Sequence, residues 1–196
     1  VKKYKINSDD RIVALTAGPW GPEGTVGGFV ESEFNLSHTG NCWIYGDAQV
    51  SGDARVFNNA VVYDNAQVSG NAHVFGNASV FGNASVFGYV HIYDDALVSG
   101  VAQVFDCACI YGDAVVCDGA VAYENAHVFD DAQVSGDGWI YGDAKIFGHA
   151  KVSGNAEVFD AARVSGDARV FGYMKITQSV HYLISIAELT DELVIL

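Results

Sequence analysis

The chain has 196 residues, half of them hydrophobic, and a formal charge of −14 at pH 7. No apolar run reaches the length of a membrane-spanning helix, so a soluble chain with no membrane partner is expected. Between Arg55 and Lys145 there is no Lys or Arg against eleven Asp and Glu, which denies a nucleic-acid binder its cationic footprint.

No basic stretch followed by an apolar one opens the chain, so no secretion signal is read. Four cysteines, Cys42, Cys107, Cys109 and Cys117, stand at irregular spacing and do not form a disulfide framework. A reducing cytoplasm is the expected compartment. The acidic surface reads first as a solubility device, and next as an attractor of basic proteins or divalent cations.

Residues 1–41 stand outside the repeat that follows and are expected to cap it. Within them "KYKI" and "RIVAL" read as strands, and "GPWGPEGTVGGF" as a turn-rich connection holding both prolines. From Cys42 to Ser179 twenty-three hexads run without insertion or deletion. One position is Val or Ile in every unit from Ile44 to Ile176 except Ala122, and another is Ala with few exceptions. Ala, a variable residue and Val alternate with period two, so Ala and Val face inward and the variable residue outward. Gly, Asn and Asp between them tolerate positive φ and bend the chain. A helix is excluded, because such a pair every six residues would break each turn and a half. The pattern predicts an all-β fold, a parallel β-helix with a thin Val/Ala core.

The residue after each Val or Ile is either aromatic or small, and it sets the circumference. Its class matches in 7 of 22 pairs at a lag of one hexad, 11 of 21 at two and 15 of 20 at three. Like residues therefore stack every eighteen positions, giving three sides per coil. Nearly eight coils at the strand spacing make a rod roughly 35–40 Å long. One coil buries too little to offset the ordering of its residues, so stability must come from coil stacked on coil, with each end closed. At the far end, residues 180–196 ("VHYLISIAELTDELVIL") lose the Gly/Asx punctuation and read as a second cap or a docking segment.

The junction at residues 24–50, "GTVGGFVESEFNLSHTGNCWIYGDAQV", resembles the YdcK-like family of bacterial and phage hexapeptide-repeat proteins. Gly27, Gly28, Asn35, Leu36, Ser37, Gly40, Asn41, Cys42, Trp43, Ile44 and Tyr45 follow the family's entry pattern, and Phe29 stands where Trp is usual. The resemblance implies a single-stranded, left-handed β-helix. It also brings a transferase label inherited from hexapeptide acyltransferases, with no catalytic motif attached, so no catalytic residue is carried over. The segment from Thr177 onward matches no pattern of the family.

Sorting the outward position by eighteen gives three columns. Two are mixed, from Trp43 to Arg169 and from Gln49 to Lys175. The third is Arg55, His73, His91, Cys109, His127, Lys145, Arg163 and His181, and every member but Cys109 can carry positive charge. Two residues beyond its members stand Phe57, Phe75, Tyr93, Tyr111, Phe129 and Phe147, and then at the corner Asp94, Asp95, Asp113, Asp130 and Asp131. One face would thus show a His/Cys stripe, an aromatic stripe and a carboxylate ridge.

Each stripe has a chemical reading. His91, Cys109 and His127 are ligand types for zinc or copper, although a ladder of like residues usually only stacks. The five carboxylates suit calcium, although corner Asp more often satisfies turn backbone. Exposed aromatic stripes mark association, which makes Arg55, His73 and the six rings the expected interaction face. Hexapeptide acyltransferases use a His base at a subunit interface and a loop that leaves the helix; this chain offers His73, His91, His127 and His149 but no such loop. The expectation is a β-solenoid without catalytic activity or cofactor, binding another protein or its own copies. An acyltransferase-like enzyme is the alternative, and an acidic decoy of a nucleic-acid-binding protein a weaker one.

Overall fold

Each hexad folds the same way: two residues of strand, a bend, and the next hexad on the neighbouring face. The structure, a computed structural model, describes residues 2–180 and 194–195. Its repeat region is a parallel β-solenoid with three faces, which hold eight, eight and seven repeat strands among the described residues; the N-terminal strands and Val194–Ile195 extend the second face to a twelve-stranded sheet. The first face runs from Trp43–Ile44 to Arg169–Val170, the second from Gln49–Val50 to Lys175–Ile176, and the third from Arg55–Val56 to Arg163–Val164. Vertical neighbours differ by eighteen residues, as in His73↔His91 and Val74↔Ile92. The ladder bonds run from coil to coil, Gln49 N donating to Ala66 O at 2.9 Å and Ser51 N to Val68 O at 3.0 Å. The predicted circumference is that of the molecule, and the described members of the three columns stand on common vertical lines.

The inward Val/Ile and Ala side chains are buried along the whole rod, forming one continuous core with no layer wider than a coil. The first residue of a corner pair takes the left-handed conformation, with φ of 58° at Asp94 and 57° at Asp130. Gly70 shows why glycine recurs there: φ is +69°, and a Cβ would lie 2.7 Å from the Gly88 nitrogen of the next coil. Non-glycine corners use their side chains instead. The carboxylates of Asp64, Asp118 and Asp130 accept the backbone N–H of Gly82, Gly136 and Gly148, each at 3.2 Å. Glu124, outside the Gly/Asx rule, does the same for Gly142 at 2.7 Å. The second corner residues form amide ladders, Asn59 Nδ2 donating to Asn77 Oδ1 and Asn77 Nδ2 to Asp95 Oδ1, both at 3.0 Å. Asn77→Ala removes both bonds from an exposed corner, and a loss of about 0.5–1 kcal/mol is expected in a urea titration.

The N-terminal segment contains β1 (Tyr4–Ile6), β2 (Arg11–Ala14) and β3 (Val26–Val30). The first two pair antiparallel where "KYKI" and "RIVAL" predicted strands. β3 differs from expectation, since it forms inside the stretch read as a turn-rich connection. It lies antiparallel to β2 on one side and parallel to Gln49–Val50 on the other, so it joins the antiparallel segment to the solenoid. Its glycines are there for close approach: a Cβ on Gly28 would sit 2.4 Å from the Ile44 side chain and 2.5 Å from Ala48 O. Val30 pairs with Val50 and Leu36 with Val56, twenty residues apart, so one irregular coil precedes the eighteen-residue ones.

Trp43 corrects its place in the outward column. It is wholly buried, stacked on Trp20 at 5.2 Å and edge-on to Tyr4 at 6.3 Å. Lys3 is buried beside it, donating from Nζ to Cys42 O at 2.8 Å, with its pKa lowered by burial. Asn35, also buried, donates to Gly52 O and Ala54 O and so continues the ladder of the third face. His181 and most of the apolar segment at 180–196 lie outside the described residues. Val194–Ile195 pairs in parallel with Lys175–Ile176 at the edge of the second face.

Candidate functional site

The strand ladder places Arg55, His73, His91, Cys109, His127, Lys145 and Arg163 one above another on the third face. Two residues on, where the chain leaves the strand, Phe57, Phe75, Tyr93, Tyr111, Phe129 and Phe147 form an unbroken stack. Their centroids are 4.8–5.0 Å apart and their planes within 7° of parallel. This spacing is set by the coil, because each ring is carried by the same corner of successive turns. The rings are half-buried: flat faces cover one another, and their outer edges line the rod. The histidines lean on this stack or on each other, His73 edge-on to Phe57 at 6.1 Å and to His91 at 5.3 Å, and His127 edge-on to Tyr111 at 6.2 Å.

The electrostatics follow from partial burial. His73 has its pKa lowered by desolvation, then by His91 and Arg55. His127 is lowered by desolvation and Lys145, against the opposing pull of Asp143. Burial, and then Cys107, pushes the Cys109 thiol up. Tyr93 and Tyr111 are also raised, mainly by desolvation. On this face the environment therefore favours the neutral form of His73 and His127, with Arg55 and Lys145 among the causes.

A pH dependence follows, with a definite sign. For His73 and His127 the unfolded chain takes up protons more readily than the folded one, so stability falls as pH drops below the ordinary His range toward the lowered folded values. Both side chains are partly exposed, which keeps the effect small. Urea midpoints measured from pH 7 to pH 5 should decline less steeply in the double variant His73→Gln, His127→Gln than in the native chain.

The proposed metal ligands are brought into line but not into a shell. His91, Cys109 and His127 are successive rungs, and the Cys109 thiol faces its own strand's Cys107 O at 3.7 Å. Among the described residues no group of three or more His, Cys, Asp or Glu side chains is gathered so that it could hold a metal ion. A flat ladder supplies ligands from one direction only. The carboxylates are occupied in part: Asp95 accepts from Asn77, Asp130 from the Gly148 N–H, and Asp131 lies 3.5 Å from His149. Asp94 and Asp113 are exposed at their corners.

A second aromatic stack lies outside the residues singled out from the sequence. Phe87, Phe105, Tyr123, Tyr141 and Phe159 follow the second face with centroids 5.0 Å apart. The signal was present in the same alternation of aromatic and small residues that gave the circumference, but lacked the charged column that drew attention to the third face. Where the N-terminal segment meets the third face, Phe34, His38, Arg55, Phe57 and His73 border a recess of about 370 Å³. Only the fold could show that one, since Phe34 and Phe57 are brought to the same recess by an irregular coil.

Residues 48–64 and 66–82 match a family model described as the YdcK Beta solenoid repeat. A search of curated proteins finds no match. The matched residues are coils of the three-faced rod that begin at the end of the junction carrying the resemblance. The chain thus contains a YdcK β-solenoid repeat region, which supports its assignment as a YdcK-like β-solenoid.

Proposed function

We propose that this β-solenoid is a non-catalytic interaction module that associates with its own copies through the third face. The observation that carries the reading is the unbroken six-ring stack running beside a column ended by cations and a ridge of carboxylates. A two-fold axis brings the same strip of two copies together, so a strip holding both charge signs can meet its own complement. The regular rung spacing lets two rods engage over several coils at once, each adding apolar contact at the ring edges.

Ultracentrifugation of the native chain and of the triple variant Phe75→Ser, Tyr93→Ser, Tyr111→Ser tests this. Serine already occupies the equivalent corner position at Ser165, so the variant is expected to keep the coil. The native chain should sediment as a dimer or larger species and the variant as a monomer with an unchanged circular dichroism spectrum. A native monomer at high concentration, or a triple variant that still assembles, would overturn the reading.

A further inference from the structure

The third face lacks a rung at its N-terminal end. In each regular coil this face shows one outward side chain and, two residues on, a second at the corner, as at Arg55 and Phe57. The rung above these belongs to the irregular coil, where Leu36 pairs with Val56, so its two outward positions are Asn35 and Ser37. Asn35 turns inward instead, buried and donating to Gly52 O and Ala54 O. Ser37 is small, and its hydroxyl is engaged with Thr39 Oγ1 at 2.9 Å. Neither side chain fills the rung, and the recess of about 370 Å³ bordered by Phe34, Ser37, Arg55, Phe57 and His73 opens there.

The walls favour a flat group. Phe57 is the first ring of the six-ring stack: Phe75 covers one of its faces at 4.8 Å, and among the described residues no ring covers the other. Every later ring up to Phe129 has a ring on both sides at the coil spacing. A planar ring laid on the free side of Phe57 would extend that series, and offset-stacked rings gain more than the same apolar area alone. Phe34, 79% exposed, adds a second apolar wall from the irregular coil.

The polar groups at the recess set the sign of the ligand's charge. Glu33 is committed to Lys2 at 2.5 Å and lies 3.8 Å from His38 Nε2. His38 Nδ1 accepts the Lys3 N–H at 3.2 Å, so Nε2 carries the proton, and that nitrogen is shut off from solvent. His73 sits edge-on to Phe57; its neutral form offers one donor and one acceptor and selects neither sign. Arg55 has neither a hydrogen bond nor an ion pair among the described residues. Its guanidinium is the uncommitted charge here, and its planar fork of donors matches a carboxylate. The chain's overall charge of −14 opposes an anion, but that field decays within about 8 Å at physiological ionic strength, so the nearest free charge decides.

We propose that this recess binds a planar aromatic carboxylate, its ring continuing the stack at Phe57 and its carboxylate paired with Arg55. The recess lies beyond Phe75, Tyr93 and Tyr111, on which the self-association is tested, and the proposal does not rest on that association. Calorimetric titration of the full chain with 2-naphthoate at physiological ionic strength tests it. Saturable binding is expected, at least about threefold tighter than that of 2-naphthamide, which keeps the rings and loses the charge, or of decahydro-2-naphthoate, which keeps the charge and loses the flat rings. Arg55→Gln should weaken 2-naphthoate by roughly threefold and leave 2-naphthamide unchanged. Ser37→Phe supplies the missing ring from the chain itself, as the same corner does from Phe57 to Phe147, and should abolish binding. An unchanged far-ultraviolet spectrum shows that either variant is folded. The proposal is overturned if 2-naphthoate gives no saturable heat, if either analogue binds equally well, or if Arg55→Gln or a folded Ser37→Phe binds as the native chain does. Tighter binding of 2-naphthylmethylammonium would overturn it too and assign the recess to a cationic ring.

Discussion

Val104→Asp is expected to abolish the folded rod. Val104 is fully buried and stacks between Val86 and Ala122 of the adjoining coils. The carboxyl would be surrounded by apolar side chains: an unpaired charge there is prohibitive, and the protonated group, still an unpaired buried polar group, costs several kcal/mol. Such a cost is comparable to the total stability of many domains. The position is also critical because a solenoid is held by nearest-neighbour contacts, and a coil lost from the middle leaves two open ends. The acid would have a raised pKa in any folded form, so residual structure is favoured at low pH and lost as pH rises. The control is Gln103→Asp, one residue away on the exposed side of the same strand, which should shift stability by no more than about 0.5 kcal/mol. Thermal melts of the two variants check both statements, and a near-native melt for Val104→Asp would contradict the assigned interior.

Trp43→Ala should be the most damaging truncation at the N-terminal end, costing about 3–5 kcal/mol. The side chain is enclosed by Trp20, Tyr4 and the first regular coil, and its loss leaves a cavity where the N-terminal segment meets the solenoid. Because that segment covers the open edge of the second face through β3, its loosening exposes unpaired strand groups. Trp139→Ala provides the contrast. It removes the same side chain from a position that is nearly half exposed, and a stability change within about 0.5 kcal/mol is expected. Chemical denaturation of both variants compares burial directly at constant chemistry. Equal losses at the two sites would show that the N-terminal segment does not seal the rod.

The legibility of this chain varies sharply with position. The class of the residue after each Val or Ile gave the coil its eighteen-residue circumference, and the ladders His73↔His91 and Ser79↔Leu97 follow that period. Every column in the repeat could be written down because one inside/outside rule applies to all twenty-three hexads. The same rule misplaces Trp43, since it knows nothing of a segment folding back over the first coil. It also gives no weight to the second aromatic stack, which has no charged column beside it to single it out. β3 was hidden for a related reason: Val26–Val30 holds two glycines, a poor strand by composition, yet here the missing side chains let it approach Ile44 and Ala48.

What the sequence determined by itself is therefore the rod, its three faces and the residues that share each vertical line. Periodicity encodes these directly, because a repeating backbone turns distance along the chain into height along an axis. The tertiary structure decided where that regularity is broken: which outward side chain is covered, how the first irregular coil joins the second face, and which residues border a recess where the N-terminal segment meets the third face. Those features arise from contacts between segments with different local patterns, and no single period contains them.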